Sequence, residues 1–114
     1  MARRPKDIGT AGETAVVRYL AHWFPGVHRL ALSGSQDVGD LGGIRGLTVQ
    51  VKVRRKMELA DWVDQAEAQR ARAGKLYAAV VHKRRGKGSP GEWYVTLPLK
   101  DFAPIYAAAA TVPA

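Results

Sequence analysis

The sequence predicts a single α/β domain with a central mixed β-sheet flanked by helices. Three observations carry this. Apolar residues recur with helical spacing over 8–24 and again over 58–73, with short strand-like stretches between and after them. The stretch LTVQVKV, Leu47 to Val53, alternates aliphatic and polar residues with the period of two that a half-buried strand requires. A chain of 114 residues, 46% of them hydrophobic, suffices for one two- or three-layer core and leaves no room for a second domain.

The elements follow in order. A basic arm is expected over 1–7. The first helix is read over 8–24 from Ile8, Ala15, Val16, Tyr19, Leu20, Trp23 and Phe24, and Pro25-Gly26 ends it. VHRLALSGS (27–35) reads as a strand running into a Ser/Gly turn, and the Gly-rich segment 37–46 as a loop with a short hairpin. After the 47–53 strand, residues 58–73 form a helix with an apolar stripe through Leu59, Trp62, Val63 and Ala66, stopped at Gly74. LYAAVVHK (76–83) is a strand apolar on both faces and is expected at the sheet centre. A loop follows, then a strand in WYVTLPL (93–99) and a short helix from about Asp101. The tail 107–114, AAAATVPA, is expected to fray. The resulting order α, β, β, β, α, β, β, α suits a sheet covered by helices.

Charge narrows the partners. With 18 Lys and Arg against 10 Asp and Glu, the chain carries a formal +8, which favours an acidic partner such as nucleic acid or an anionic membrane surface. The cations are bunched: Arg3, Arg4 and Lys6; Lys52, Arg54, Arg55 and Lys56; Lys83, Arg84, Arg85 and Lys87. Three such runs in one small domain favour a phosphate-binding surface. The chain has no cysteine, which excludes disulfides and thiolate metal sites. Glu13, Arg18 and His22 interrupt any signal-peptide core, and no segment is apolar and long enough to span a bilayer. A cytoplasmic location without a membrane partner is expected.

The polar face of the 47–53 strand carries Thr48, Gln50 and Lys52. Asp40 precedes Gln50 by ten residues in a Gly-flanked turn that can return it to this strand, and Glu13 lies on the first helix, which can cross the same end of the sheet. Carboxylates and a Gln carbonyl are hard oxygen donors of the kind Mg2+ or Mn2+ takes. Lys52 falls about 7 Å beyond Gln50 by strand rise, where an ammonium can orient water or offset charge on a transition state.

Glu13, Gly39-Asp40 and Gln50-Val51-Lys52, in this order and spacing, resemble the PD-(D/E)XK nuclease motif. Within that superfamily the GETAVVRYL helix and the SGSQDVGDL segment are similar to those of archaeal-type Holliday-junction resolvases and related phage endonucleases. The resemblance runs from about Ile8 to Arg84. It implies a restriction-endonuclease-like fold and a metal-dependent, structure-selective DNA endonuclease acting on branched DNA such as four-way junctions, as a homodimer. It implies metal ligands at Glu13, Asp40, Gln50 and the Val51 carbonyl, water positioning by Lys52, and phosphate or loop contacts from Ser33 and Ser35. Arg3, Arg4, Lys6, Arg54, Arg55, Lys56, Lys83, Arg84, Arg85 and Lys87 would meet DNA. Two departures stand out. Gly39 replaces the motif's Pro, a mild change in a turn. Gln50 replaces an acid and brings no charge, leaving open a variant ligand, an engineered change, or decay to a catalytically silent branched-DNA-binding protein.

Each residue also has a plainer reading: Glu13 as a solvated helix residue, Asp40 as a turn residue bonding its own backbone, Lys52 as the start of a basic run. Asp37 is passed over for Asp40 on spacing. Asp61, Asp64 and Glu67 read as the polar face of the second helix; Gln65 or Gln69 could point from that helix towards the site, with helix surface as the plainer role for both. His22, His28 and His82 read as structural, Trp23 and Trp62 as core, and Trp93 and Tyr94 as DNA or dimer contacts.

Overall fold

The structure is a computed structural model that describes residues 4–31 and 37–110. Its elements are α1 (Pro5–Leu20), β1 (His28–Arg29), β2 (Leu41–Gly42), β3 (Leu47–Lys52), α2 (Leu59–Ala73), β4 (Tyr77–His82), β5 (Tyr94–Thr96) and α3 (Leu99–Ala109), with a 3-10 turn over Pro90–Glu92. The order is the expected one. The five strands form one sheet in the order β1-β2-β3-β4-β5. β3 and β4 run parallel in the register Leu47↔Tyr77 to Lys52↔His82, and the other pairs are antiparallel. A parallel pair needs a crossover, which α2 provides.

The two sheet faces follow from strand alternation. Val49, Val51 and Val81 pack with Val16 of α1, Val27, Leu41 and Ile44. Ala78 and Val80 pack with Trp62 and Ala66 of α2. α1 and α2 therefore cover opposite faces. α1 comes so close to the end of β3 that a Cβ on Gly12 would stand 2.6 Å from Val53 Cγ2, and any side chain there would have to displace Val53.

Several boundaries differ from expectation for local reasons. α1 begins at Pro5, whose missing N–H is no loss at a helix start. Residues 5–7 are therefore helix and not a free arm. α1 ends at Leu20, and a tight turn with Trp23 N bonding Leu20 O at 3.0 Å precedes Pro25. This agrees with the bias against helix before proline. Trp23 is 61% exposed and is not a core residue. β1 has two residues within the expected 27–35. β5 is shorter than 93–99 because Pro98 caps α3, which starts at Leu99 and continues to Ala109, past the expected start of the tail. α2 stops as expected at Gly74, in the left-handed conformation with φ 67°. β3, rather than β4, holds the middle of the sheet. Leu99, Phe102 and Tyr106 leave α3 an exposed apolar surface, and this helix has no extensive contact with another element. No helix among the described residues is long and apolar enough to cross a membrane.

Candidate active site

Glu13 lies on α1 and Asp40 on the turn entering β2; both line one cavity of about 400 Å3, together with Lys6, Gly9, Arg29 and Arg54. A Cβ at Gly9 would meet nothing within 4 Å, so this side of the cavity is open. Glu13 is held by Arg29 at 3.4 Å. Burial raises the Glu13 carboxyl above its usual range, the charge of Asp40 adds to this, and Arg29 opposes it.

Asp40 is fixed by three backbone-level contacts. Its N–H donates to Val49 O at 2.9 Å, its carbonyl accepts from Leu30 N at 2.9 Å, and its Oδ2 accepts from Val51 N at 2.7 Å. The side chain thus caps β3 where pairing with β2, centred on Leu41↔Val49, has ended. Burial raises the Asp40 carboxyl; the Val51 N–H and the charge of Lys52 oppose that rise, and Asp37 adds to it. In an extended strand the N–H and C=O of one residue point the same way. The Val51 carbonyl therefore faces the Asp40 edge.

Gly39 has φ 111°, and a Cβ there would come 2.9 Å from Thr48 Cγ2. Proline, held near φ of about −65°, cannot take this conformation. A proline at position 39 would therefore not be a mild exchange in the turn that aims Asp40.

Lys52 is half-buried on the opposite face of β3 from Val51. Burial lowers its pKa first and Arg54 adds to this, while Asp40, Asp37 and Glu58 oppose it. Gln50 shares that face and is 2% exposed, with Oε1 buried and unpartnered. Neither Lys52 nor Gln50 lines the cavity that holds Glu13 and Asp40. The site is therefore split across the end of β3, with Asp40 as the link.

Two residues set aside in the sequence take part. Asp37 Oδ2 accepts from Gln69 Nε2 at 2.8 Å, and its carbonyl accepts from Arg72 at 3.0 Å. Gln69 is 1% exposed, so it is buried rather than on the helix surface. Its position seven residues after Trp62 and three after Ala66 puts it on the buried stripe, a signal that apolar counting overlooks because Gln is polar. Arg29 had no sequence signal at all.

Of the basic runs, Arg4 pairs with Asp7, Lys56 with Glu58 and Lys87 with Glu92. Arg54, Arg55, Lys83, Arg84 and Arg85 make no ion pair among the described residues. Arg3, Ser33 and Ser35 lie outside the described residues.

The donors present suit a hard divalent cation: two carboxylates in one cavity, the charge of Asp40 raising the proton affinity of Glu13, and the Val51 carbonyl facing the Asp40 edge. No three His, Cys, Asp or Glu side chains form a ligand cluster among the described residues. No protein-family model, curated protein or solved structure matches the chain.

Proposed function

We propose that the protein is a metal-dependent endonuclease of the PD-(D/E)XK type, cutting branched DNA. The observation that carries this reading is the pairing of Glu13 and Asp40 in one cavity at the end of the strand that bears Lys52. Like-charged carboxylates held together under burial are poised to accept a cation. Glu13, Asp40 and the Val51 carbonyl would hold Mg2+ or Mn2+; Gln50, buried on the other face of β3 and outside this cavity, adds no donor as it stands. Bound there, the ion would acidify the attacking water and stabilise the leaving oxygen. The chain's own groups supply the rest. Arg29 favours the ionised form of Glu13 and orients it, the Val51 N–H fixes Asp40, and the Lys52 ammonium donates to a water or a phosphate oxygen. Two matched cuts across a four-way junction call for a homodimer. The open edge of β5 and the apolar face of α3 offer a surface for the second copy, because the only charges on α3, Lys100 and Asp101, pair with each other at 3.3 Å in a chain of net +8.

The burial of Gln50 Oε1 favours a second reading, a protein that binds branched DNA without cutting it. One experiment separates the two: Mn2+-dependent cleavage of four-way-junction, duplex and single-stranded DNA by the wild type, Gln50→Glu, Asp40→Ala and Lys52→Ala. The nuclease reading expects nicked branched DNA, with the product lost in the two alanine variants. Undiminished cutting in both would sink it, and cutting by Gln50→Glu alone would assign the silent reading.

A further inference from the structure

Five of the cations that make no ion pair among the described residues lie together. Arg54 and Arg55 follow β3, while Lys83, Arg84 and Arg85 follow β4, and the parallel register brings both strand ends to one side of the sheet. All five line one groove of about 660 Å3. Its floor is apolar, built from Ile8 of α1, Val53, Met57 and the ring of Tyr94. Met57 is 58% exposed and Tyr94 48% exposed, so the floor is open to a ligand. The Arg84 guanidinium stands over the Tyr94 ring, 5.9 Å from its centroid, which puts a cation and an aromatic side by side in the groove. Arg54 also lines the cavity that holds Glu13 and Asp40, so groove and cavity adjoin at this side chain.

We infer that this groove binds an unpaired DNA strand and leads it to the carboxylate cavity. The cations demand a polyanion. The apolar floor decides which kind. A duplex presents phosphates outward and keeps its base faces stacked, so it would leave Met57 and Tyr94 without a partner. An unpaired strand offers both groups the groove is made for, with phosphates against the rim and a base face against Tyr94 and Arg84. The inference rests on the nuclease reading only for what the strand is delivered to. Binding in EDTA reads the groove without cleavage.

The test is fluorescence anisotropy with labelled dT20, a 20-base-pair duplex and rU20, in EDTA over a salt series. dT20 is expected to bind more tightly than the duplex or the RNA, with an affinity that falls steeply with salt. Tyr94→Ala is expected to weaken dT20 about 5- to 100-fold while Tyr94→Phe retains it. Tyr94 also packs on His82 at 5.6 Å, so Arg85→Glu, at an exposed position, serves as a second variant that leaves the fold untouched; it is expected to lower affinity and flatten the salt slope. Tighter binding of duplex or RNA, or unchanged dT20 binding by both Tyr94→Ala and Arg85→Glu, overturns the inference. Intact dT20 binding by a protein that never cleaves would sink the nuclease reading alone.

Discussion

On its α1 side, β3 presents Val49 and Val51 to an apolar cluster with Val16, Val27, Leu41 and Ile44. On its α2 side it presents Thr48, Gln50 and Lys52 to a layer that also contains Gln69 and His82. Thr48 Oγ1, Gln50 Oε1, Gln69 Oε1 and His82 Nδ1 are all buried there without a hydrogen-bond partner. Each such atom costs about 1–3 kcal/mol, whereas the α1 side burdens the fold with none from β3. One strand therefore has a face that holds the domain together and a face that spends stability on polar groups. Local rules broken together in this way mark a site better than any single residue does.

The contrast can be broken by placing the same charge on each face. Val49→Glu puts an uncompensated charge into the apolar cluster and is expected to lose about 3–5 kcal/mol, with no response to Mn2+. Gln50→Glu is isosteric and is expected to lose about 2 kcal/mol, which Mn2+ restores. Urea melts with and without Mn2+ measure both. Equal losses, both indifferent to the ion, would erase the distinction between the faces.

A gentler exchange uses the hydroxyl of Thr48. Thr48→Val removes an unpartnered polar atom at constant shape and is expected to stabilise by about 1 kcal/mol. Val49→Thr, one residue along, introduces such an atom and is expected to destabilise by about 2 kcal/mol. Denaturation midpoints with opposite signs would sharpen the comparison, and a loss in both would remove it.

The smallest effect is a pH response. Burial lowers the pKa of His82, whose Nε2 lies 2.8 Å from Thr96 Oγ1 between Trp62 and Tyr94. Above a pH of about 6.5 the ring is neutral in both folded and unfolded chains. Below that the unfolded chain takes up a proton that the folded one resists, so stability falls as pH drops from 6.5 towards the folded pKa. Glu13 and Asp40 have raised carboxyls and act in the opposite sense, gaining stability as they protonate at lower pH. The Tm is expected to fall modestly between pH 7 and 5.5, and His82→Gln should flatten that fall. An unchanged slope would place the titration elsewhere.

The element order, the alternation of β3 and the α2 stripe were legible in the sequence because they are periodic. Glu13 and Asp40 were legible as types at a spacing, and the cavity they share depends on α1 crossing the sheet. What escaped was non-periodic or tertiary. Gln69 is a polar residue on an apolar stripe, Arg29 reaches Glu13 from a two-residue strand, and Trp23 keeps helical spacing beyond the end of its helix. Nothing in the sequence around Gly39 signals its positive φ, which proline cannot adopt. The groove needed two basic runs, separate in sequence, to meet at the ends of parallel strands.

That meeting has a consequence for the folding of the domain. The β3–β4 pairing, the one parallel seam among the described residues, brings the two cationic walls together, so closing the seam compresses like charge that the unfolded chain keeps apart. The groove is thus a seam under electrostatic tension. A polyanion lying in it serves as counter-ion as well as ligand, and by mass action it holds the sheet closed.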